Sequence, residues 1–166
     1  GGDYHSPSVV AAHGSFEMLV GVGLDIVGAS SDDGLEWRVD GASSIGAGVT
    51  SWAMDDVQTP SLLCSPGDDF EYTMYFSGHT LTSGEVVDAG WGMAVSTDRA
   101  FWFIDGRGAY FSWADDAQWR NFDVLQAGAV EMMWFEELDG EGMPIIGLAT
   151  TADTWDKSET QSRDCN

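Results

Sequence analysis

The sequence predicts an all-β fold that resembles a β-propeller, with three four-stranded antiparallel blades. Three motifs recur in the same order, three times, along the 166 residues. The short apolar stretches between them are bounded by turn residues, and the chain has 21 glycines but only 4 prolines. No stretch of about a dozen residues keeps the 3.6-residue period of a helix, so we expect no helix longer than about eight residues.

The first motif is Ala-x-Ser/Thr-x-Asp followed by a tryptophan. The aspartates of its three copies, Asp33, Asp98 and Asp153, are 65 and 55 residues apart. We expect each tryptophan to lie on the last strand of its blade and to pack between neighbouring blades. The copies are residues 29–33 with Trp37, residues 94–98 with Trp102, and residues 149–153 with Trp155.

The second motif places an aspartate just before the innermost strand of each blade. Residues 52–57 and 119–124 share the pattern Trp-x3-Asp-Val. Because the innermost strands line the central channel of a propeller, we expect the three aspartates to converge at one mouth of that channel. They are Asp3, leading into His5-Ser-Pro-Ser, Asp56, leading into Gln58-Thr-Pro-Ser, and Asp123, leading into the less similar segment with Gln126.

The third motif is a short apolar or aromatic strand that follows a turn. With it, the first repeat is predicted to form four short strands near residues 8–11, 16–20, 26–30 and 35–39. We therefore predict a single unit over residues 1–166, with blade repeats at about 3–50, 51–112 and 113–166. The copies of the motif are residues 16–20, 72–76 and 132–135.

Acidic residues dominate the charge. The 28 aspartates and glutamates against 6 lysines and arginines give a formal net charge of −22, which repels phosphate backbones and anionic lipids. We therefore expect no nucleic-acid and no membrane partner. Two explanations of the acid are a halophilic or marine protein with a solvated acidic surface, and a cation-binding protein. The scattered positions of the acids favour the first explanation.

No cofactor is predicted, although a structural Ca²⁺ is compatible with the acid content. No EF-hand loop is found, and the three histidines and two cysteines do not have metal-ligand spacing. Cys64 and Cys165 form either one disulfide or two free thiols. We expect an extracellular or periplasmic protein, or a cytoplasmic protein of a salt-adapted organism. His13 and His79 are predicted to lie in exposed turns.

The order Pro-Ser-hydrophobic, aromatic-Met-aromatic, Gly-x-Ala-x-Ser-x-Asp and Trp resembles a blade of the five-bladed glycosidase superfamily. That superfamily includes arabinanases, β-xylosidases, invertases and levansucrases, of glycoside hydrolase families 43, 32 and 68. Residues 31–37 also resemble a sialidase Asp box that is one residue short. The resemblance covers nearly the whole chain, and it implies a glycoside hydrolase-like protein that acts on or binds a polysaccharide.

The same resemblance implies roles for the carboxylates, which in that superfamily come from successive blades. It makes Asp3 the base or nucleophile and Asp56 the residue that orients a partner or raises its pKa. Asp123 and Glu131 are the candidates for the general acid, a position that is a glutamate in the superfamily. The other explanation of the recurring aspartate is a turn cap that accepts backbone N–H bonds.

Polar and aromatic neighbours of these aspartates are candidates for contacts with a sugar. The amide and imidazole groups can hydrogen-bond hydroxyls, and the indole rings either stack on a pyranose face or pack between strands. A non-catalytic carbohydrate-binding or protein-interaction module and a purely structural assembly unit are the alternatives to an enzyme. The candidate ligand-binding residues are His5, Trp52, Gln58, Trp119 and Gln126.

Three blades are too few to close a ring, because about four is the lower limit for a propeller. Open blade faces would expose apolar surface to water. We therefore expect either a two-fold homodimer that forms a six-bladed ring, or a fragment whose missing blades lie elsewhere.

Overall fold

A computed structural model describes residues 3–65, 67–104, 111–112, 121–127, 130–138 and 142–150. Residues 1–114 and 115–166 form two compact units, which are described separately. The described residues form strands and turns and contain no helix, as the sequence predicts. All strand pairs are antiparallel, so the all-β prediction is confirmed.

The first sheet is a four-stranded meander in the order β1-β2-β3-β4. Its fourth strand begins at Arg38, so the predicted start near Leu35 is wrong. Residues 35–37 form a loop instead, because the Asp33 carboxylate accepts the N–H groups of Leu35 and Glu36 at 2.8 and 3.0 Å. The strands are β1 (Tyr4–Ala12), β2 (Ser15–Val22), β3 (Asp25–Ser31) and β4 (Arg38–Ile45).

The second sheet repeats this meander, with two short strands in place of the fourth strand. Both β8 and β9 pair with β7. His79 lies inside β6 and is partly buried, so the prediction that it occupies an exposed turn is wrong. The strands are β5 (Asp56–Cys64), β6 (Tyr72–Thr82), β7 (Glu85–Ser96), β8 (Phe103–Ile104) and β9 (Phe111–Ser112).

The third sheet, in the second compact unit, has three described strands in the order β10-β11-β12. They are β10 (Phe122–Ala127), β11 (Val130–Leu138) and β12 (Pro144–Thr150). The predicted fourth strand, together with Trp155 and Cys165, falls in residues 151–166, outside the described part of the chain.

The core of the first unit contains residues from both of its sheets. Trp52 stacks on Phe76 with ring centroids 5.6 Å apart and an interplanar angle of 16°. The innermost strands are connected directly, since the Leu62 N–H donates to Ser8 Oγ at 2.9 Å. The largest fully buried side chains of this core are Leu19, Ile26, Val57, Met74 and Phe76.

The first motif forms the same turn in both sheets of the first unit. Ser31 Oγ accepts the Gly34 N–H at 2.8 Å, and Ser96 Oγ accepts the Arg99 N–H at 2.8 Å. Gly34 has a left-handed φ of 77°, and the equivalent Arg99 has a φ of 62°. In both turns the aspartate accepts two further backbone N–H groups, and these bonds lower the pKa of Asp33 and of Asp98.

Arg99 connects the second sheet to the first. From its turn after β7 it forms an ion pair with Glu17 of β2, and it lies 3.3 Å from Asp40 of β4. Its guanidinium also lies over the Tyr72 ring, 5.7 Å from the centroid. This junction lies at the opposite end of the sheets from Asp3 and Asp56.

Candidate functional site

The innermost strands β1 and β5 contain the same bulge. The register shifts between His5 and Ser8 in β1, and between Gln58 and Ser61 in β5. A bulge inserts an extra residue and turns the strand, so it changes the direction of the side chains before it. The residues at the bulges, Ser6 with φ 49° and Thr59 with φ 50°, both precede a proline.

The bulges lie near Asp3 and Asp56, and the structure places these two aspartates at the same end of the first and second sheets. The turn between β2 and β3 contacts both segments. The Gly23 N–H donates to the Asp3 carbonyl at 3.4 Å, and the Val57 N–H donates to the Leu24 carbonyl at 3.2 Å. We call this end, with Asp3 and Asp56, the aspartate end.

Asp56 is 2% exposed, and both of its carboxylate oxygens have polar neighbours. Oδ1 lies 2.7 Å from His79 Nδ1 on the neighbouring strand β6. Oδ2 accepts a hydrogen bond from Gln58 Nε2 at 2.5 Å. The carboxylate is therefore fixed from two directions, by one residue of its own strand and one residue of the next.

Burial raises the pKa of the Asp56 carboxyl, because removal from water disfavours the charged form. The charge of His79, its backbone N–H and the Gln58 amide oppose this rise, whereas the nearby Asp55 carboxylate adds to it. Asp55 is itself fixed, since its Oδ2 accepts the Leu81 N–H at 2.6 Å. A buried carboxyl with a raised pKa and a histidine partner is typical of functional sites.

Asp3 and His5 occupy the positions in β1 that Asp56 and Gln58 occupy in β5. Asp3 is exposed. The His5 ring lies directly over Gly21, where a β-carbon would overlap it. The first sheet therefore contributes an accessible carboxylate and an imidazole to the aspartate end.

Trp52 is 3% exposed and belongs to the core. One ring face lies on Phe76, and a β-carbon on Gly92 would come within 2.7 Å of its Cζ2. This placement favours packing over stacking on a sugar. The equivalent Trp119 lies outside the described residues.

In the third sheet, the sequence candidates do not lie at one point. Asp123 is exposed and pairs across the ladder with Trp134, whereas Glu131 pairs with Gln126 near the β10–β11 turn. Three ladder positions separate Asp123 from Gln126, which is about 10 Å along a strand. Glu131 is therefore remote from the end of the sheet that carries Asp123.

A glutamate that the sequence reasoning missed lies at the Asp123 end of this sheet. Glu136 Oε2 accepts a hydrogen bond from Asn121 Nδ2 at 3.0 Å, and the Glu136 N–H donates to the Asn121 carbonyl at 3.0 Å. The sequence signal for it is its position directly after the third motif, next to Phe135, which pairs with Phe122 in the structure.

The described residues contain no group of three or more His, Cys, Asp or Glu side chains that could hold a metal ion. They likewise contain no helix long and apolar enough to cross a membrane. Cys64 is a free thiol within this part of the chain, and burial raises its pKa, with Glu71 and Glu17 adding to the rise.

No protein-family model and no curated protein matches the chain. Solved structures of propeller glycoside hydrolases do match it. A family 117 glycoside hydrolase of the marine bacterium Zobellia galactanivorans has a TM-score of 0.72 at 16% identity, over 92% of this chain and 53% of its own. A thermostable family 43 glycoside hydrolase has a TM-score of 0.62 at 11% identity, over 90% of this chain and 48% of its own.

A family 32 β-fructofuranosidase of Bombyx mori, solved with sucrose, has a TM-score of 0.63 at 12% identity and covers 92% of this chain and 33% of its own. The chain thus spans about half the length, or less, of these solved structures. At these identities the likeness shows the fold alone. The three sheets therefore have the architecture of part of a five-bladed glycoside hydrolase propeller.

Proposed function

We propose that the protein is a glycoside hydrolase-like propeller protein that acts on a polysaccharide at the aspartate end. The observation that carries the proposal is the buried Asp56 carboxyl, held between His79 and Gln58 at the same end as the exposed Asp3. The fold shared with propeller glycoside hydrolases supports the same reading.

Hydrolysis of a glycosidic bond needs two groups with different proton affinities. One donates a proton to the leaving oxygen, and a carboxylate on the other side of the sugar ring acts as base or nucleophile. Asp3 is exposed, whereas burial raises the pKa of Asp56, so the two environments differ in the required way. In this proposal Asp3 is the base or nucleophile, and Asp56 lies on the side of the sugar from which the leaving oxygen receives its proton.

The third sheet supplies the remaining candidates for a third carboxylate. Asp123 and Glu136 lie at one end of that sheet, and Glu131 lies three ladder positions away from Asp123. Asp123 or Glu136, rather than Glu131, is therefore the acidic group that we propose for the third sheet.

We also propose that a second copy of the chain completes the ring. Val9 and Val39 of the first sheet are 47% and 52% exposed, and such apolar surface is costly in water. The charge of −22 opposes association, but the Debye length of about 8 Å in physiological salt screens most of it. Sedimentation at moderate salt tests this, and a compact monomer of 17.9 kDa would refute the dimer.

Release of reducing sugar from a panel of plant and algal polysaccharides tests the enzymatic proposal. We expect Asp3→Asn to lower the rate at least about 100-fold. The matched control is Asp68→Asn, an exposed turn residue at the opposite end of the second sheet, which should leave the rate unchanged. Binding without hydrolysis would instead support the non-catalytic carbohydrate-binding module. If the protein neither binds nor hydrolyses any polysaccharide of the panel, the proposal is refuted.

A further inference from the structure

We propose that His79, and not Asp56, is the group that exchanges a proton with the sugar, and that Asp56 is its positioning residue. This inference rests on the proposed function of the aspartate end. It assigns a role to a histidine that lies inside β6 and not in the exposed turn that the sequence predicts.

Accessibility separates the two side chains. The Asp56 side chain is 4% exposed, whereas the His79 side chain is 30% exposed. Both Asp56 oxygens already have polar neighbours, His79 Nδ1 at 2.7 Å and Gln58 Nε2 at 2.5 Å. A sugar hydroxyl would have to displace one of these partners to reach Asp56, whereas it can approach the imidazole from solvent.

The pairing also fixes which imidazole nitrogen can react. A carboxylate that lies next to Nδ1 holds a proton on that nitrogen. Nε2 then carries a lone pair in the neutral ring and an N–H in the charged ring. Asp56 therefore orients His79 as a proton carrier through Nε2, in the way that a buried aspartate orients the histidine of a hydrolase triad.

The charged groups around His79 come from both neighbouring strands. β5 contributes Asp56 and the segment before β5 contributes Asp55, whose backbone N–H donates to the His79 carbonyl at 3.1 Å. On β7, His79 pairs with Ala89, next to Asp88. The two arginines among the described residues are Arg38, the first residue of β4, and Arg99, in the turn after β7, and both lie at the opposite end of the sheets. Asp56 is thus the acidic side chain in contact with the imidazole, since the uncharged Ala89 faces His79 on β7 and Asp88 lies one residue further, on the other face of that strand.

The proton transfer balances with water as the only co-reactant. The imidazolium Nε2–H passes its proton to the glycosidic oxygen as the bond between that oxygen and the anomeric carbon breaks. Water adds to the anomeric carbon and gives its proton to the Asp3 carboxylate. Exchange with solvent then returns the proton to His79. Asp56 keeps its contact with His79 and its hydrogen bond from Gln58 throughout.

The first test measures kinetics on the full chain with the polysaccharide that it hydrolyses. We expect His79→Gln to lower kcat at least about 100-fold and to leave KM within about 3-fold, since a proton donor acts mainly in the transition state. It should also remove one limb of the pH–rate profile. His13→Gln is the matched control, because the His13 side chain is 55% exposed and lies at the opposite end. An unchanged kcat in His79→Gln, with Asp3→Asn inactive, would overturn this inference and leave the proposed function standing.

The second test reads the histidine–aspartate pair without any activity. Nitrogen NMR of the labelled protein should show the Nδ1-protonated tautomer of neutral His79. Asp56→Asn should abolish that preference, whereas Asp55→Asn should retain it. If His79 of the wild-type protein prefers the Nε2-protonated form, the inference is wrong even if polysaccharide is hydrolysed. If no polysaccharide is bound or hydrolysed, the proposed function fails and this inference fails with it, whatever the tautomer.

Discussion

The innermost strands of the first and second sheets share a backbone but differ in their partners. Both bulge before a proline, with φ of 49° at Ser6 and 50° at Thr59. Their neighbours across the ladder differ at two positions. Gly21 faces His5 where Ser77 faces Gln58, and Gly23 contacts Asp3 where His79 faces Asp56. The two sheets therefore share the backbone of the bulge, and the residues in and after their second strands, β2 and β6, determine which side chains lie next to the aspartates.

The cores of the two sheets should differ most. Phe76 is fully buried on Trp52, and its equivalent in β2 is the smaller Val20, which is 5% exposed. We expect Phe76→Ala to lower the free energy of unfolding by about 3–5 kcal/mol. Val20→Ala should cost only about 1–2 kcal/mol, because it removes less apolar surface. Urea titration measures both, and equal losses would contradict the expected difference between the sheets.

Exchange of the residues opposite the bulges should have the next largest effect. Gly21→Ser places a β-carbon where the His5 ring lies, so we expect a loss of about 1–3 kcal/mol and displacement of His5. Ser77→Gly removes the bonds from Ser77 Oγ to the Gln58 carbonyl and to Thr59 Oγ1, at 3.2 and 3.1 Å. We expect it to cost about 1–2 kcal/mol.

The same unfolding measurements, with the His5 ring signals followed by NMR, check this exchange. If Gly21→Ser leaves both the free energy of unfolding and the His5 signals unchanged, the β1–β2 and β5–β6 strand pairs are interchangeable at this position. Gly14→Ser in the β1–β2 turn is not a suitable control, because Gly14 has a φ of 81°. Ser30→Ala, on the neighbouring strand β3, is a better one.

The turns of the first motif allow a smaller test. Gly34 has a φ of 77°, so Gly34→Ala should cost about 1 kcal/mol through backbone strain, although its β-carbon would meet Phe16 at an ordinary 3.5 Å. Thermal unfolding measures it. A stabilised Gly34→Ala would show that this turn relaxes out of the left-handed region. Arg99 already has a φ of 62°, so Arg99→Ala keeps this backbone strain and removes the ion pairs together with the contact on the Tyr72 ring.

The smallest expected effect is a pair of opposite slopes with pH. The folded-state pKa of Asp56 lies above its ordinary value of 3.8, so its contribution is present below that value and is lost as the pH rises through the folded-state pKa. The pKa of Asp33 lies below 3.8, so its contribution is present above that value and is lost as the pH falls. The free energy of unfolding of the wild-type protein minus that of Asp56→Asn should therefore fall with rising pH. The same difference taken against Asp33→Asn should rise with pH.

Urea titrations of the wild-type protein and both variants between about pH 3 and pH 7 measure these slopes. Two slopes of the same sign would show that one of the two assigned environments is wrong.

The parts of the structure that the sequence predicts are those that repeat. The second motif fixes Asp3 and Asp56 at equivalent positions before β1 and β5, and antiparallel pairing then brings them to one end. His79 could not be found in this way, because the equivalent residue in the first sheet is Gly23. Comparison of the copies marks what is shared, whereas the partner of Asp56 is what differs between them.

The sequence misplaces the start of β4 and leaves both packing and sugar stacking open for Trp52, and each has a physical cause. Leu35 has an apolar side chain that suggested a strand, but the Asp33 carboxylate holds its N–H in a turn, and the side chain is 83% exposed. Trp52 has the size and polarity expected of a sugar platform. Its ring is covered by Phe76 from the neighbouring strand, a long-range contact that no local pattern of the sequence announces.

Arg99 makes the order of the sheets matter. A glycine at this position, such as Gly34, has no side chain that could form an ion pair with a neighbouring sheet. The turn with Arg99 needs carboxylates beside it, and it finds Glu17 and Asp40 on the preceding sheet. If the two sheets descend from one duplicated unit, this arginine ended their interchangeability. The second sheet therefore fits beside a sheet that supplies carboxylates at these two positions, as the first sheet does.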